Sequence, residues 1–159
     1  MLITRMTPAE LPHVDRIQRQ AYEAGLVEPI EALASRLRVA PKFAFVARDG
    51  CECLGYLLAH PWPADQSPGL QNSLEILPEN CDALHLHDMA VDPAHANRGI
   101  GRALLRALIE AARSAGFSQI TLVAVQGADT FWNKMGFLAV RRVDGYDDGA
   151  LLMRRILEE

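Results

Sequence analysis

The chain is poor in aromatic residues, has few cysteines, carries no surplus of positive charge and contains no long apolar run. Aromatics make up 6% of the 159 residues, so a core has to be built mainly from aliphatic side chains. Sixteen Lys and Arg against twenty Asp and Glu leave a net charge of −4, which excludes a net field able to hold a nucleic-acid backbone or an anionic membrane. An anionic small ligand must therefore be met by a local basic site. No apolar run approaches the roughly 18 residues that span a bilayer. Cys51, Cys53 and Cys81 are an odd number, and their spacing matches neither a metal nor a redox motif. The opening stretch from Met1 to Ile17 has neither the basic nor the apolar region of a secretory signal. The expectation is a soluble, cytoplasmic protein with reduced thiols and no metal.

What is present is ordinary globular composition, 50% hydrophobic and 23% charged, in a length that suits one domain. Leu2 to Arg5 is short and β-prone. Thr7-Pro8-Ala9-Glu10 reads as a helix start with a capping box, and the stripe Leu11, Val14, Ile17 and Ala21 predicts a helix over 8–24. Pro29 opens a second helix, with Ile30, Leu33, Ala34 and Leu37 inward. Residues 43–48 and 52–60 read as two strands joined by an Asp49-Gly50 hairpin turn. A long loop follows over 61–82, with Pro61, Pro63, Pro68 and Pro78. Beyond it the pattern predicts a strand over 83–91, a helix over 99–115, a strand over 120–125 and a short helix over 129–135. Strands over 138–143 and 150–156 close the chain around a Gly145-Tyr146-Asp147 turn.

The densest signal lies between Leu86 and Leu105. A strand ends near Val91, and Gly99-Ile100-Gly101 then opens a helix whose inward stripe is Ile100, Leu104, Leu108, Ala111 and Ala115. Glycines at such a point let successive backbone N–H groups converge at a helix N-terminus, where the helix dipole also favours an anion. Arg98 and Arg102 flank the glycines and supply further charge for phosphate. Leu104 stands where a dinucleotide-binding fingerprint wants a small residue, and no Gly-Lys-Ser/Thr is present for a P-loop. The pattern is a phosphate loop of another kind.

Met89-Ala90-Val91-Asp92-Pro93 followed by Asn97-Arg98-Gly99-Ile100-Gly101-Arg102 resembles the acetyl-CoA-binding motif of GNAT-type N-acetyltransferases. Phe131-Trp132-Asn133-Lys134-Met135-Gly136-Phe137 resembles the same family's aromatic signature. The resemblance implies a single-domain α/β fold with a mixed, mostly antiparallel twisted sheet, helices on both faces and a splay between the two central strands. It implies acetyl-CoA as co-substrate, with Met89, Ala90 and Val91 on the pantetheine arm and Asn97, Arg98, Gly99, Ile100, Gly101 and Arg102 on the phosphates. Acetyl transfer to a primary amine of a small molecule or peptide, by direct attack, is the implied activity. The alternatives are a CoA-binding module without turnover, or an acyltransferase using another acyl-CoA or a hydroxyl acceptor. Relatives often pair as homodimers. Two departures stand out: Ala96 occupies a position where the motif usually has Gln or Arg, and Trp132 replaces the tyrosine that often protonates the leaving thiolate. An indole N–H is a donor but no usable acid.

Amine acetylation needs a neutral amine, a stabilised oxyanion and a protonated thiolate. His85 and His87 lie two apart on the strand bearing Met89 and are candidate bases, His85 standing where some relatives carry a strand-borne Glu. Strand alternation places Asp88 on the opposite side, in a structural role. Val123 stands near the position of another Glu used by some relatives. Tyr146 in the tail turn is the candidate acid. Glu23, Glu28, Asp147 and Asp148 are read as an acidic mouth for a cationic amine. Phe131, Trp132 and Phe137 are read as core, and Trp62 as a loop aromatic covering the acceptor site.

Overall fold

The computed structural model describes residues 1–158. Its strands are β1 (Leu2–Arg5), β2 (Ala44–Asp49), β3 (Glu52–Trp62), β4 (Ala83–Val91), β5 (Gln119–Ala124), β6 (Leu138–Arg142) and β7 (Leu151–Ile156). The helices longer than one turn are α1 (Leu11–Ala21), α2 (Ile30–Val39), α3 (Ile100–Ser114) and α4 (Asp129–Lys134). All seven strands form one sheet in the order β1-β2-β3-β4-β5-β7-β6, antiparallel except for the β4–β5 pair. Helices α1 and α2 cover one face through Val14, Ile17, Leu33 and Leu37. Helix α3 covers the other through Ile100, Leu104, Leu105, Leu108, Ile109 and Ala112, joined by Trp132 of α4. The expected α/β architecture with helices on both faces is therefore present.

Differences from the sequence reading have local causes. The first helix begins as a single 3-10 turn at Pro8–Glu10 and ends at Ala21, because Tyr22 leaves it with an extended backbone (φ −110°, ψ 151°). The capping box forms as read, with the Glu10 carboxylate accepting the Thr7 backbone N–H at 2.7 Å. The α3 stripe runs on through Ala112, while Ala115 is exposed, since α3 ends at Ser114 and Ala115 is its C-cap, beyond the packed turns. Strand β3 extends through Pro61 to Trp62, pairing Pro61 with Leu84. A proline is tolerated there because β2 pairs with β3 only as far as Leu58, so the missing N–H faces no partner strand.

Leu104 is fully buried at the centre of the α3 face. Leu104→Ala is expected to cost about 2–5 kcal/mol in urea unfolding, the range for a large-to-small change in a packed core. A loss under about 1 kcal/mol would mean that α3 does not pack as described.

Candidate active site

Strands β4 and β5 run parallel but pair only through Leu84–Ile120, His85–Thr121 and Leu86–Leu122. Beyond Leu86 they part, and the backbone from His87 to Val91 has no strand partner on that side. A register shift against β3 falls at the same place: Leu58 pairs with Asp88 and Ala59 with Leu86, which leaves His87 as the extra residue of a bulge. A bulge breaks the alternation of side chains along a strand. His87 and Asp88 consequently both line the cleft that opens between β4 and β5, whereas strict alternation had placed Asp88 away from it. The cleft encloses about 270 Å³. Its apolar end is walled by Met89, Leu122, Ala128, Phe131 and Trp132, and its polar end by Tyr22, Glu28, His87, Asp88 and Tyr146.

At the mouth of the cleft, Asn97 and Gly99 both take left-handed backbone conformations (φ 63° and 77°). Gly99 is the N-cap of α3 and offers no side chain to cap it, so the first-turn N–H groups are left to an external acceptor. Gly101 turns its side toward the cleft: a Cβ there would lie 3.2 Å from Met89 Cε and 3.6 Å from Phe131 Cζ. Ile100 anchors the loop in the core at 2% exposure. Arg98 is tied back, donating from Nη1 to His95 Nδ1 at 2.7 Å, while His95 Nε2 faces Glu52 at 2.9 Å. Arg102 points into an outer groove of about 510 Å³ that it shares with Arg106, Arg113, Lys134 and Arg155. Ala90 is buried on the α1–α2 side, and Val91 packs beneath α3.

The polar end is built from distant parts of the chain. Glu28, between α1 and α2, accepts the Gln71 N–H at Oε1 (2.7 Å) and meets His87 Nε2 at Oε2 (2.7 Å). The side chains of His87 and Glu28 are 1% and 3% exposed. Burial holds the His87 pKa well below the ordinary histidine value and raises that of Glu28. Neutral His87 therefore donates Nε2–H to the carboxylate, and its Nδ1 has no partner among the described residues. Asp88 Oδ1 and Oδ2 lie 2.8 Å and 2.7 Å from the hydroxyls of Tyr22 and Tyr56. Burial, with Glu28 adding to it, pushes the Asp88 pKa up to about 7 against the hydrogen bonds from the tyrosines. Arg36 of α2, wholly buried, donates to the carbonyls of Ala32 and Asn72. Behind His87, the rings of His60 and His85 stand 6.0 and 6.4 Å away.

The candidate residues thus separate. His87 and Tyr146 line the cleft; His85 does not, being 1% exposed with Nδ1 2.9 Å from Thr121 Oγ1. Tyr146 accepts the Gly69 N–H at 3.0 Å, fastening the tail turn to the long loop across the polar end. Of the acidic mouth, Glu28 alone is in the cleft; Asp147 accepts the Gly149 N–H of its own turn and the Gln126 N–H beyond β5. Phe131 is 41% exposed and lines the cleft, so it is not a core residue, while Trp132 and Phe137 pack edge to face at 5.4 Å. Trp62 belongs to a strand and packs on His60 at 5.3 Å, away from the cleft lining. Tyr22 and Arg36 were not singled out by the sequence reading. A usable signal was scarcity: the chain has three tyrosines, and all three converge here. Among the described residues no group of three or more His, Cys, Asp and Glu is placed to hold a metal, and no helix is long and apolar enough to cross a membrane.

Comparison with known proteins identifies the family. A family model described as the acetyltransferase (GNAT) family matches residues 11–137. A glucosamine 6-phosphate N-acetyltransferase of Trypanosoma brucei brucei is 36% identical over 58 residues, a segment covering 36% of this chain and 40% of that protein. Among solved structures, Ard1 from Thermoplasma volcanium superposes with a TM-score of 0.78 at 20% identity, covering 99% of this chain and 98% of its own. GphF, a GNAT-like decarboxylase solved with isobutyryl-CoA, gives 0.83 at 18% identity over 99% and 100% of the two chains. At such identities the likeness speaks for the fold alone, but the family model spans most of the sequence. The chain belongs to the GNAT acetyltransferase family.

Proposed function

We propose that the protein transfers an acetyl group from acetyl-CoA to the primary amine of a compact, cationic small molecule. One observation carries this reading: the cleft has an unpaired strand edge and an uncapped helix start at one end, two carboxyl groups at the other, and no Lys or Arg in its lining. The backbone of Met89 to Val91 has no strand partner on the β5 side, and with the Met89 carbonyl held by Tyr22 its remaining groups suit the amides of a pantetheine arm. The first-turn N–H groups of α3 suit a pyrophosphate, with the outer basic groove continuing from Arg102.

At the acceptor end, Glu28 and Asp88 offer negative or polarisable groups to an ammonium ion. The Nδ1 of His87, buried and without a partner among the described residues, would take the proton that the amine must lose before it attacks, once the acceptor has come against it. Glu28, on the other ring nitrogen, stabilises the imidazolium as it forms, which offsets the burial that disfavours its charge. Nothing cationic lines the cleft to receive a phosphate, so a sugar phosphate like that named for the trypanosomal relative is a poor fit. The Tyr146–Gly69 bridge across the polar end favours a small acceptor over an extended peptide.

The test is CoA release from acetyl-CoA across a panel of amines. Compact cationic amines are expected to turn over and glucosamine 6-phosphate to be left unused. Preference for the phosphosugar would overturn the acceptor class. Binding of acetyl-CoA without release from any amine would leave a CoA-binding module. His87→Ala is expected to lower kcat/KM by roughly 100-fold, in the range for loss of a general base. His85→Ala should stay within about threefold of wild type, and the reverse pattern would exchange the two assignments.

A further inference from the structure

Tyr22 makes two contacts that one hydroxyl proton cannot serve. Its oxygen lies 2.8 Å from Asp88 Oδ1 and 2.8 Å from the Met89 carbonyl oxygen. A carbonyl only accepts, so the Tyr22 proton belongs on the Met89 side. The contact with Asp88 is then a hydrogen bond only if Asp88 supplies the proton. A proton shared between the two acceptors would leave both contacts long, yet both have the length of a full O–H···O bond. The second oxygen of Asp88 accepts from Tyr56 at 2.7 Å, which fits a neutral carboxylic acid, with one oxygen donating and one accepting.

We infer that Asp88 is held as a neutral acid that donates through the Tyr22 hydroxyl into the cleft, forming the proton store for the departing CoA thiolate. This deepens the acetyl-transfer reading and rests on it. It supplies the acid missing where Trp132 replaces tyrosine, since Tyr22 lines the cleft and is bonded to the unpaired edge of β4. When the tetrahedral intermediate collapses, the carbon–sulfur bond breaks and sulfur leaves with its electron pair. The Tyr22 hydroxyl turns from the Met89 carbonyl and its proton passes to sulfur, while the Asp88 proton passes to Tyr22. Tyrosine ends neutral and Asp88 as a carboxylate. The acceptor nitrogen sheds two protons in all, one before attack and one as the amide forms, and the second restores Asp88.

The surroundings oppose a standing negative charge on Asp88. It is 6% exposed. Facing it are Tyr22 from α1, Tyr56 from β3 and the carboxyl of Glu28; Arg36 of α2 is the one cation acting on it. Glu28 already draws on that same cation. Burial outweighs the tyrosine bonds and Arg36, in keeping with an acid that is protonated up to about pH 7. Tyr22 itself, half-buried beside Asp88, resists ionisation, so it passes a proton on only while receiving one.

Infrared difference spectra of wild type and Asp88→Asn, at pH 6 and without ligands, read the proton directly. A carboxylic-acid C=O band present in wild type and missing in the variant is expected, and its absence from wild type would overturn the proposal. Asparagine reproduces the neutral acid, accepting from Tyr56 and donating to Tyr22, but cannot release its proton. Asp88→Asn is therefore expected to keep the melting temperature and acetyl-CoA affinity while losing roughly 100-fold in kcat, the scale of general-acid catalysis. Tyr22→Phe, which leaves Asp88 and the Met89 carbonyl without their partner, should lose as much in kcat with a lowered melting temperature. The wild-type kcat should also fall as pH rises through neutrality, and that limb should vanish in Asp88→Asn. Variants within threefold of wild-type kcat, or an unchanged alkaline limb, would refute the relay. If the protein binds acetyl-CoA but acetylates no amine, the functional reading fails and the relay with it; the infrared band still decides where the proton resides.

Discussion

Acetyl-CoA at about 100 times its Kd is expected to stabilise the protein by about 2.7 kcal/mol, and Gly99→Val to abolish that gain. For a chain of this size the gain corresponds to a rise in Tm of roughly 5–11 °C. Gly99 sits at φ 77°, ψ 14° with nothing within 4 Å of where a Cβ would go. Valine therefore meets no collision inside the protein. The penalty is conformational, about 1–3 kcal/mol for a β-branched residue held in the left-handed region. Relaxing that strain turns the first-turn N–H groups of α3 away from their common focus, so the loss falls on the ligand. Gly116, at φ 87° with equally open surroundings, lies past the far end of α3, roughly 22 Å along the helix. Gly116→Val carries the same strain and should keep the full ligand-induced rise in Tm. A Gly99→Val protein that still gains stability from acetyl-CoA would mean that the phosphates bind elsewhere.

Between pH 6 and pH 5 the protein is expected to lose about 2 kcal/mol of unfolding free energy in urea titrations, well above the range where ordinary carboxylates titrate. His60 is pushed down to about 3, and His85 and His87 well below their ordinary value, in each case chiefly by burial. All three are neutral when folded and take up protons when unfolded, so their contribution is complete above about pH 6.5 and is lost as the pH falls. Asp88 acts in the opposite sense, because its raised pKa makes the folded state bind the extra proton between about pH 7 and 4. Three histidines, partly uncharged at pH 6 even when unfolded, less one aspartic acid leave about 1.7 protons, hence a slope of a little over about 2 kcal/mol per pH unit. Glu28, also raised, reduces it somewhat. Replacing His60 by glutamine should remove about 1.4 kcal/mol per pH unit of this dependence. Stability that is flat from pH 7 to 5 would show that the histidines charge within the fold, with His87 and Glu28 as an ion pair.

Most of the element course was legible because it depends on local pattern. The aliphatic stripes of α1 and α2, the hairpin at Gly50 and the glycines opening α3 each declare themselves within a few residues. The strand leading to Val91 and the left-handed Gly99 that opens α3 were legible for the same reason. The acceptor end was not, since it is assembled across long separations: Tyr22 and Asp88 are 66 positions apart, and Glu28 and His87 are 59. A single bulge at His87 decides which β4 side chains enter the cleft, and nothing in the residues themselves marks that extra position. The loop over 61–82 was legible as a loop but not as a fastened one. Glu28 holds the N–H of Gln71, Arg36 the carbonyl of Asn72 and Ser35 the N–H of Leu74, so α2 and the residues before it fix its path.

The two halves of the sheet meet through three backbone pairs between β4 and β5, with α3 laid across the join. A ligand running down the cleft would hydrogen-bond to β4 and pack against β5, acting as a partial eighth strand that completes the seam from within. Amide exchange in β5 and β7 should then slow far more on ligand binding than in β2 and β3, whose pairing is already continuous. A co-substrate bound in this way would be a structural component of the sheet as well as the donor of the group it delivers.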